Sequence, residues 1–556
     1  MTTLRLLLAA GTALAAAAPL AAAAETPAPM TAEAATIRAD SDMVRAHVEF
    51  LADDLLEGRQ TGTRGYDLAA LYVVSRFRAM GLEPGGDDGS WYQEVPFVRA
   101  KVGETSIAAS RDGAAVALAD SDIALRPSVA GEQVMIDAPV VLAGRGISEP
   151  LLGIDDYAGL DVAGKIVVVM PGAVPGGNGD VNAHLGGSKA QVAAAKGARG
   201  IIYLLAAPEG QGAGFINYMR NHEVVDVIGP DGRPSDQPGA LDVEGYMTIE
   251  AASALFGMDL RETAMAAAMG EAITLPRAPE ARMMIDHRSS HDSFTGTNVI
   301  GNLRGADPVL AGEHVMMTAH LDHIGVNEEG EDKVNNGALD NAAGIATMLE
   351  AARLFTTREV APARSISFIA LAAEEMGLLG AAYYAQNPIV PIDDIAAVVN
   401  LDMPVPLYDF TDVVAFGAPY NSVAEKVADA GAALGITVSP DPMPEQNIFV
   451  RSDHYEFAKM GVPAILLFTG YGNGGEEQWA DFFATRYHKA GDDLSQALDW
   501  DALAKYAELN HRIALTIAED ATPPRWYEGT YFGDAFDPGG ERAPTPPTLD
   551  SGLSSH

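Results

Sequence analysis

Acidic and histidine side chains gather in one stretch of the chain, residues 314–402, where each ends an apolar run or lies in the turn that follows. A further histidine stands in the later segment RYHKAGDD. The set consists of His320, Asp322, Asp340, Glu374, Glu375, Asp402 and His488. Several carboxylates that meet at one place repel one another and are costly to desolvate. Two divalent cations remove that cost, because neighbouring ions can share one carboxylate and still leave a position open for water.

Five side chains are enough for such a pair of ions, since each ion takes two terminal ligands and both share one bridging carboxylate. One carboxylate is then left over as a general base. The adjacent Glu374 and Glu375 suit this division, because neighbouring residues at a strand end point in different directions. The residue types and their spacing therefore predict a two-metal site that carries its own general base.

The segments around these residues alternate between strand and helix patterns from Gly296 onward. This alternation predicts an α/β fold with a mixed, mostly parallel sheet and helices on both faces. His320 ends the run HVMMTA, Glu374 follows SISFIALAA, and Asp402 follows IAAVVNL. Sites in such sheets form outside the carboxyl ends of the strands. We therefore expect these side chains to meet at one edge of the sheet.

The motifs AHLD, GALDNAAG, EEMGLLG, NLDM and YHKAGDD resemble those of the co-catalytic zinc exopeptidases. That family includes bacterial leucyl aminopeptidase, aminopeptidase Y and glutamate carboxypeptidase II. The resemblance covers residues 296–520 and, more weakly, residues 42–98. It implies a zinc exopeptidase type of fold and the hydrolysis of terminal peptide bonds in peptide substrates.

Carried over by position, the resemblance assigns a role to each residue of the set. It makes Asp340 the bridging ligand, gives His320 and Asp402 to one metal, and gives Glu375 and His488 to the other. Glu374 becomes the general base, and Asp322 orients His320 through its second ring nitrogen. Tyr487 resembles an oxyanion-stabilising tyrosine, and His454 resembles a residue of the substrate cleft. The cofactors implied are two zinc ions, although carboxylate-rich pairs also accept cobalt or manganese.

A second resemblance concerns residues 131–284, where GKIVVV, a lysine-containing helix and GARGIIY resemble the protease-associated domain. It implies an inserted, smaller α/β domain inside the catalytic one. The predicted organisation is listed in chain order: a signal peptide (1–24), the N-terminal part of the catalytic domain (38–130), the inserted domain (131–284), the main part of the zinc peptidase domain (285–522) and a Pro/Ser-rich tail (523–556).

Residues 1–24 follow the pattern of a secretory signal peptide, in which Arg5 precedes an apolar run that ends in small residues before Glu25. Gly11 and Pro19 interrupt the run, which disfavours a permanent membrane anchor. We expect an exported protein, periplasmic or secreted, without stable membrane insertion after signal cleavage. The formal charge of −40 argues against nucleic acid as a partner, because the two would repel each other.

Other chemistries lack their motifs. The chain has no cysteine, which excludes thiolate nucleophiles and cysteine-ligated zinc. It also lacks a G-x-S-x-G elbow, an H-E-x-x-H zinc motif and a phosphate-binding G-x-x-x-x-G-K-[ST] loop.

The direction of cleavage stays open at this point. An aminopeptidase recognises the amine of its substrate, and the acidity of the chain favours it over a carboxypeptidase, which needs a cation for the terminal carboxylate. Arg451 is the cation near the expected cleft that would reverse this choice. Two alternatives of another class are a non-catalytic, receptor-like binding protein and a single-zinc glutaminyl cyclase, both on the same fold.

Overall fold

A computed structural model describes residues 38–546, apart from residues 173, 176, 208–210, 235–240 and 276–277. The predicted signal peptide, residues 1–24, and the last part of the predicted tail, residues 547–556, lie outside the described residues. From Ala39 onward the chain forms one compact unit.

Helices surround the sheet along the whole described chain. In chain order they are α1 (Ser41–Leu51), α2 (Arg64–Ala79), α3 (Gly179–Gly187), α4 (Lys189–Ala195), α5 (Gly212–Asn221), α6 (Ile249–Phe256), α7 (Arg261–Ala268), α8 (Ala343–Thr356), α9 (Leu379–Gln386), α10 (Val423–Leu434), α11 (His454–Lys459), α12 (Gly475–Thr485), α13 (Trp500–Glu519) and α14 (Tyr531–Phe536). None of those in the described part of the chain combines the length and the apolar composition needed to cross a bilayer.

The strands vary in length from short bridges to two very long elements. In chain order they are β1 (Glu83–Pro84), β2 (Tyr92–Arg111), β3 (Ala114–Val116), β4 (Ile123–Leu125), β5 (Gln133–Leu142), β6 (Ser148–Glu149), β7 (Ile154–Asp155), β8 (Ile166–Val169), β9 (Gly200–Leu204), β10 (Val224–Val227), β11 (Val243–Met247), β12 (Ala281–Leu303), β13 (His314–His320), β14 (Ser365–Leu371), β15 (Ile395–Asn400), β16 (Asp412–Phe416), β17 (Thr437–Ser439) and β18 (Ala464–Thr469).

The strands that carry the site form a mixed sheet in the order β17-β16-β18-β15-β13-β14-β12. Four neighbouring pairs are parallel, and the pairs β16–β18 and β12–β14 are antiparallel. The central strands β14, β15 and β18 are buried along their whole length. Continuous apolar runs of this kind are typical of parallel strands that helices cover on both faces. The predicted α/β fold class is confirmed.

The strand β12 continues the sheet into the region predicted as an insert. Its first part pairs with β5, and the order continues β5-β8-β9-β11-β4. The strands β5, β8, β9 and β11 run parallel to one another, whereas β12 and β4 pair antiparallel at the two ends of this row. A separate apolar cluster packs on this row, so the region is a small α/β unit with its own core, joined to the main sheet through the long strands β2 and β12.

Residues 92–130, which the sequence pattern predicts as short strands, begin instead with the long strand β2. It pairs with β12 over nearly its full length, with one register shift between His287 and Ser289. Gly103 lies inside β2, and a glycine in a strand pattern usually predicts an interruption of the strand. Pairing with the long strand β12 keeps β2 continuous at this position. The first part of the predicted tail also packs, since Trp526 and Phe532 are buried in the main core.

Candidate metal centre

Three adjacent parallel strands deliver the first site residues to one edge of the sheet. His320 is the last residue of β13, Glu374 and Glu375 follow β14, and Asp402 follows β15. In the sheet order β15-β13-β14 these strand ends are neighbours. Asp340 precedes the buried helix α8, and His488 lies in the loop after α12.

The distances join these side chains into two groups that share Asp340. The Nε2 atom of His320 lies 3.2 Å from Asp340 Oδ1 and 3.2 Å from Asp402 Oδ1. The Nε2 atom of His488 lies 3.2 Å from Asp340 Oδ2 and 3.1 Å from Glu375 Oε2. Asp340 therefore turns one oxygen towards each histidine.

These spacings fit two divalent cations. Two ligands at roughly 2.0–2.2 Å from one tetrahedral ion lie roughly 3.3–3.6 Å apart, close to the 3.1–3.2 Å observed. One imidazole nitrogen facing two carboxylate oxygens can give a proton to only one of them, whereas both can bind the same ion. The chemistry of this donor set, nitrogen and carboxylate oxygen without sulfur, suits zinc.

The electrostatics of the site show the same excess of negative charge. Desolvation raises the pKa of Glu374 well above its ordinary value, and the charges of Asp402, Glu375 and Asp453 add to this shift while His320 opposes it. Although burial alone lowers the pKa of a histidine, the Asp340 and Glu375 carboxylates raise that of His488 to about 10. The carboxylates thus compete for the few positive charges nearby, which is the situation that a bound dication relieves.

His323 contacts the same site but in a different way. Its Nδ1 atom lies 2.6 Å from Glu375 Oε1, and its buried Nε2 atom has no partner among the described residues. Among the described residues, the ligand atoms of His323, Asp340 and Glu375 also lie close enough together to hold an ion. A separation of 2.6 Å is that of a direct, charge-assisted hydrogen bond and is too short for two ligands of one ion. We therefore assign His323 to the positioning of Glu375.

Asp322 differs from its expected role. Its carboxylate Oδ1 lies 3.9 Å from His320 Nδ1, which is beyond hydrogen-bond distance. His320 Nδ1 instead lies 3.2 Å from the backbone carbonyl oxygen of Asp322. The carboxylate of Asp322 accepts the backbone amides of Glu374 and Glu375, at 3.1 and 3.3 Å. The carboxylate thus fixes the turn that carries the two glutamates, and the backbone of the same residue orients His320.

Two further residues hold the site, and the sequence patterns predict no role for either of them. The carboxylate of Asp492, in YHKAGDD, accepts the backbone amides of Leu339 and Asp340 at 3.0–3.1 Å. The hydroxyl of Ser452 donates to Asp402 Oδ2 at 2.6 Å. For Asp492, its place in the motif YHKAGDD was the available signal.

Left-handed backbone conformations occur at the turns that present the site. Ala373, which precedes Glu374, has φ of 55°, Met403, which follows Asp402, has φ of 41°, and His488 has φ of 54°. Such conformations cost energy in residues other than glycine and concentrate at functional sites. The surrounding contacts hold these turns in place.

A cavity of about 380 Å³ opens beside the two groups. Polar and apolar side chains of the site line it in similar measure. The lining includes Asp340, Glu374, Glu375, Asp402, Arg451 and His488, together with Leu378, Met403, Ile448, Val450, Phe483 and Tyr487. Its size and its combination of apolar side chains with charged groups suit a small ligand.

The two residues expected to contact substrate have different positions. Tyr487 lines the cavity, and its ring stacks on His488 with ring centres 3.9 Å apart. His454 does not line it: this side chain is fully buried at the start of α11 and packs against Phe449. Burial lowers the pKa of His454 to about 3. The structure therefore keeps Tyr487 as a candidate for substrate contact and places His454 in the protein interior.

The chain is similar to several known proteins. Residues 298–514 match the model described as peptidase family M28. A protein of Pyrenophora teres f. teres named "Probable zinc metalloprotease" is 37% identical over 108 residues, which are 19% of this chain and 22% of that protein. A Pseudomonas aeruginosa protein named "Aminopeptidase" is 31% identical over 206 residues, which are 35% of each chain. The matched segments span a minority of the length of these curated relatives.

Among solved structures, an aminopeptidase from Aneurinibacillus sp. strain AM-1 aligns with 87% of this chain and 95% of its own. Its sequence is 20% identical, and the TM-score is 0.49.

Proposed function

We propose that the protein is an exported metallo-exopeptidase that removes residues from the amino terminus of peptides, a proposal supported by the match of residues 298–514 to the model of peptidase family M28. One observation carries the proposal. Asp340 lies between His320 and His488, each of which also faces a second carboxylate, and Glu374 lies beside them in the same cavity. The inserted protease-associated domain, residues 131–284, and export through the leader at residues 1–24 are parts of the same proposal.

The ligand roles follow the two groups of contacts. His320 and Asp402 would hold one zinc ion, Glu375 and His488 the other, and Asp340 would serve both. Ions bound there would lower the pKa of a coordinated water and polarise the carbonyl group of the scissile bond. The curated relative named as a zinc metalloprotease supports the choice of metal.

Glu374 is the residue left to move protons. Its carboxylate lines the cavity. The ion pairs of His320 and His488 go to Asp340, Asp402 and Glu375, and no described histidine lies within 4 Å of Glu374. Glu374 would take a proton from the attacking water and deliver it to the leaving amine. Asp322 supports this role, because it holds the backbone amide of Glu374 and so fixes the direction of the side chain.

Two observations support recognition of a substrate amine. Relatives of this chain are named as aminopeptidases, and the formal charge of −40 favours the approach of a cationic amino terminus over that of a carboxylate terminus. Arg451 lines the cavity and favours the second candidate, a carboxypeptidase of this family. Its guanidinium contacts Gln446 at 3.2–3.3 Å.

The test is hydrolysis of matched short peptides that are free, N-acetylated or C-amidated, with and without a chelator. We expect chelator-sensitive cleavage that N-acetylation blocks and C-amidation does not. Blockage by C-amidation alone would identify a carboxypeptidase and point to Arg451. If the metal-loaded protein cleaves none of these peptides, the proposal is refuted. The non-catalytic binding protein and the single-zinc glutaminyl cyclase would then be the remaining alternatives.

Replacing His323 with phenylalanine is expected to weaken metal binding at the Glu375 side by about 10- to 100-fold. The substitution keeps a ring of similar size but removes the 2.6 Å hydrogen bond that fixes Glu375. Retention of each ion would be measured by titration with a competing chelator. His291→Phe is the matched control, because His291 lies on β12 outside the site and bonds the carbonyl oxygen of Ser128. Equal metal retention in both variants would contradict this role for His323.

A further inference from the structure

One wall of the cavity consists of a short segment without long helices or strands. Residues 444–451, here called the wall segment, form two short 3-10 turns, Pro444–Gln446 and Ile448–Val450. Ile448, Val450 and Arg451 of this segment line the cavity. Short 3-10 turns have few hydrogen bonds of their own, so the position of this wall depends on what supports it from behind.

The helix α3 of the predicted insert packs against both turns of the wall segment. Val181 and Leu185 of α3 are buried in the main core, in the same apolar cluster as Ile448 and Phe449. The approach is close at the start of the helix, where a β-carbon on Gly179 would lie 2.3 Å from Asn447 Oδ1 and 3.0 Å from the carbonyl oxygen of Pro444. The insert therefore supplies the surface on which the wall rests.

A hydrogen-bonded tyrosine joins the helix to the wall. The hydroxyl of Tyr420 donates to Asp180 Oδ2 of α3 at 2.7 Å, and the ring of Tyr420 packs on Phe449 with ring centres 4.9 Å apart. Phe449 lies between the two lining residues Ile448 and Val450. A second contact joins His184 of α3 to the hydroxyl of Tyr455, at 2.5 Å. The hydroxyl of Tyr420 also lies 3.3 Å from Oδ1 of Asn178, the N-cap residue of α3, so Tyr420 transmits the position of α3 to the wall through these two hydrogen bonds and one ring contact.

We propose that α3 sets the position of the wall segment through Asp180 and Tyr420, and that this support determines which substrate side chains the cavity accepts. The inference rests on the proposed function in one respect, because it takes the cavity as the place of the substrate side chain. Asp180 and Tyr420 are positioning residues: neither lines the cavity. Loss of the support leaves the reacting groups in place and loosens the grip on large apolar side chains.

The test compares Tyr420→Phe and Asp180→Ala with the wild type on two substrates that differ only in a leucyl or an alanyl residue. We expect the preference for the leucyl substrate to fall about three- to tenfold, which is the range that the loss of one hydrogen bond accounts for. The change should appear in KM, with little change in kcat. Asp180→Asn keeps an acceptor for the Tyr420 hydroxyl and should restore the preference. Tyr531→Phe is the matched control, since its hydroxyl bonds Glu149 of the insert and does not face the wall segment.

Hydrogen exchange of the backbone amides of residues 444–451 provides a readout that needs no activity. Tyr420→Phe and Asp180→Ala should exchange faster in this segment than Tyr531→Phe and the wild type. Unchanged exchange and an unchanged preference would overturn the inference even in an active enzyme. Faster exchange in a protein that cleaves no peptide would refute the proposed function and leave the support of the wall by α3 in place.

Discussion

Replacing Glu374 with glutamine is expected to lower kcat by about 100- to 10,000-fold and to leave the bound metal in place. The substitution keeps the shape of the side chain and removes its ability to accept a proton. Glu374 lines the cavity beside the two groups, and Asp322 holds its backbone amide independently of the side chain. Turnover should therefore fall without a loss of the architecture that holds the ions.

The measurement combines kcat on a free peptide with the metal content of the same protein preparation. Glu328→Gln is the control, because it removes one acidic group from an exposed loop outside the cavity and should change neither quantity. A Glu374→Gln variant with full activity would contradict the proposed mechanism. Loss of metal together with activity would show instead that Glu374 is a ligand.

Replacing Asp340 with asparagine is expected to remove both ions, and with them all measurable turnover. Asp340 turns Oδ1 towards His320 and Oδ2 towards His488, so that one side chain contributes to both groups. An amide has no negative charge and offers one good acceptor in place of two. Both positions should then bind metal at least about tenfold more weakly, because each loses a charged ligand.

Asp402→Asn is the matched comparison for this prediction. Of the two histidines His320 and His488, Asp402 contacts His320, at 3.2 Å. Its substitution should therefore cost one of the two ions. Metal content would be measured by elemental analysis, and the melting temperature with and without added zinc would report whether binding still stabilises the fold. Two ions retained by Asp340→Asn, or equal losses in the two variants, would exclude Asp340 as the shared ligand.

Much of the fold and of the site could be predicted from local patterns. The apolar runs before His320, Glu374 and Asp402 have the length and continuity of buried parallel strands, and parallel strands bring their carboxyl ends to one edge of a sheet. Polar residues that follow such runs must therefore meet, wherever the rest of the chain goes. For this reason the spacing of a few residue types was enough to predict which side chains come together.

The direction of individual side chains could not be obtained in this way. The sequence assigns Asp322 to His320 because the two residues are close in the chain, yet in the structure the Asp322 carboxylate accepts the amides of the turn after β14. His454 carries a polar ring in a segment near the cleft, but the start of α11 turns it into the core. Neighbouring residues point in different directions, so a shift of one residue places a side chain in entirely different surroundings. Only the packed backbone determines which direction each side chain takes.

By itself, the sequence determined the fold class and the set of residues that gather at the sheet edge, because these depend on short-range patterns and on the general geometry of parallel strands. Only the tertiary structure decided that His323 bonds Glu375, that Asp492 and Ser452 hold two of the proposed ligands, and that α3 supports the cavity wall. Tyr420 and Asp180 are 240 residues apart in the chain. Contacts over such separations leave no periodic signal in the sequence, since they depend on how complete elements pack against one another.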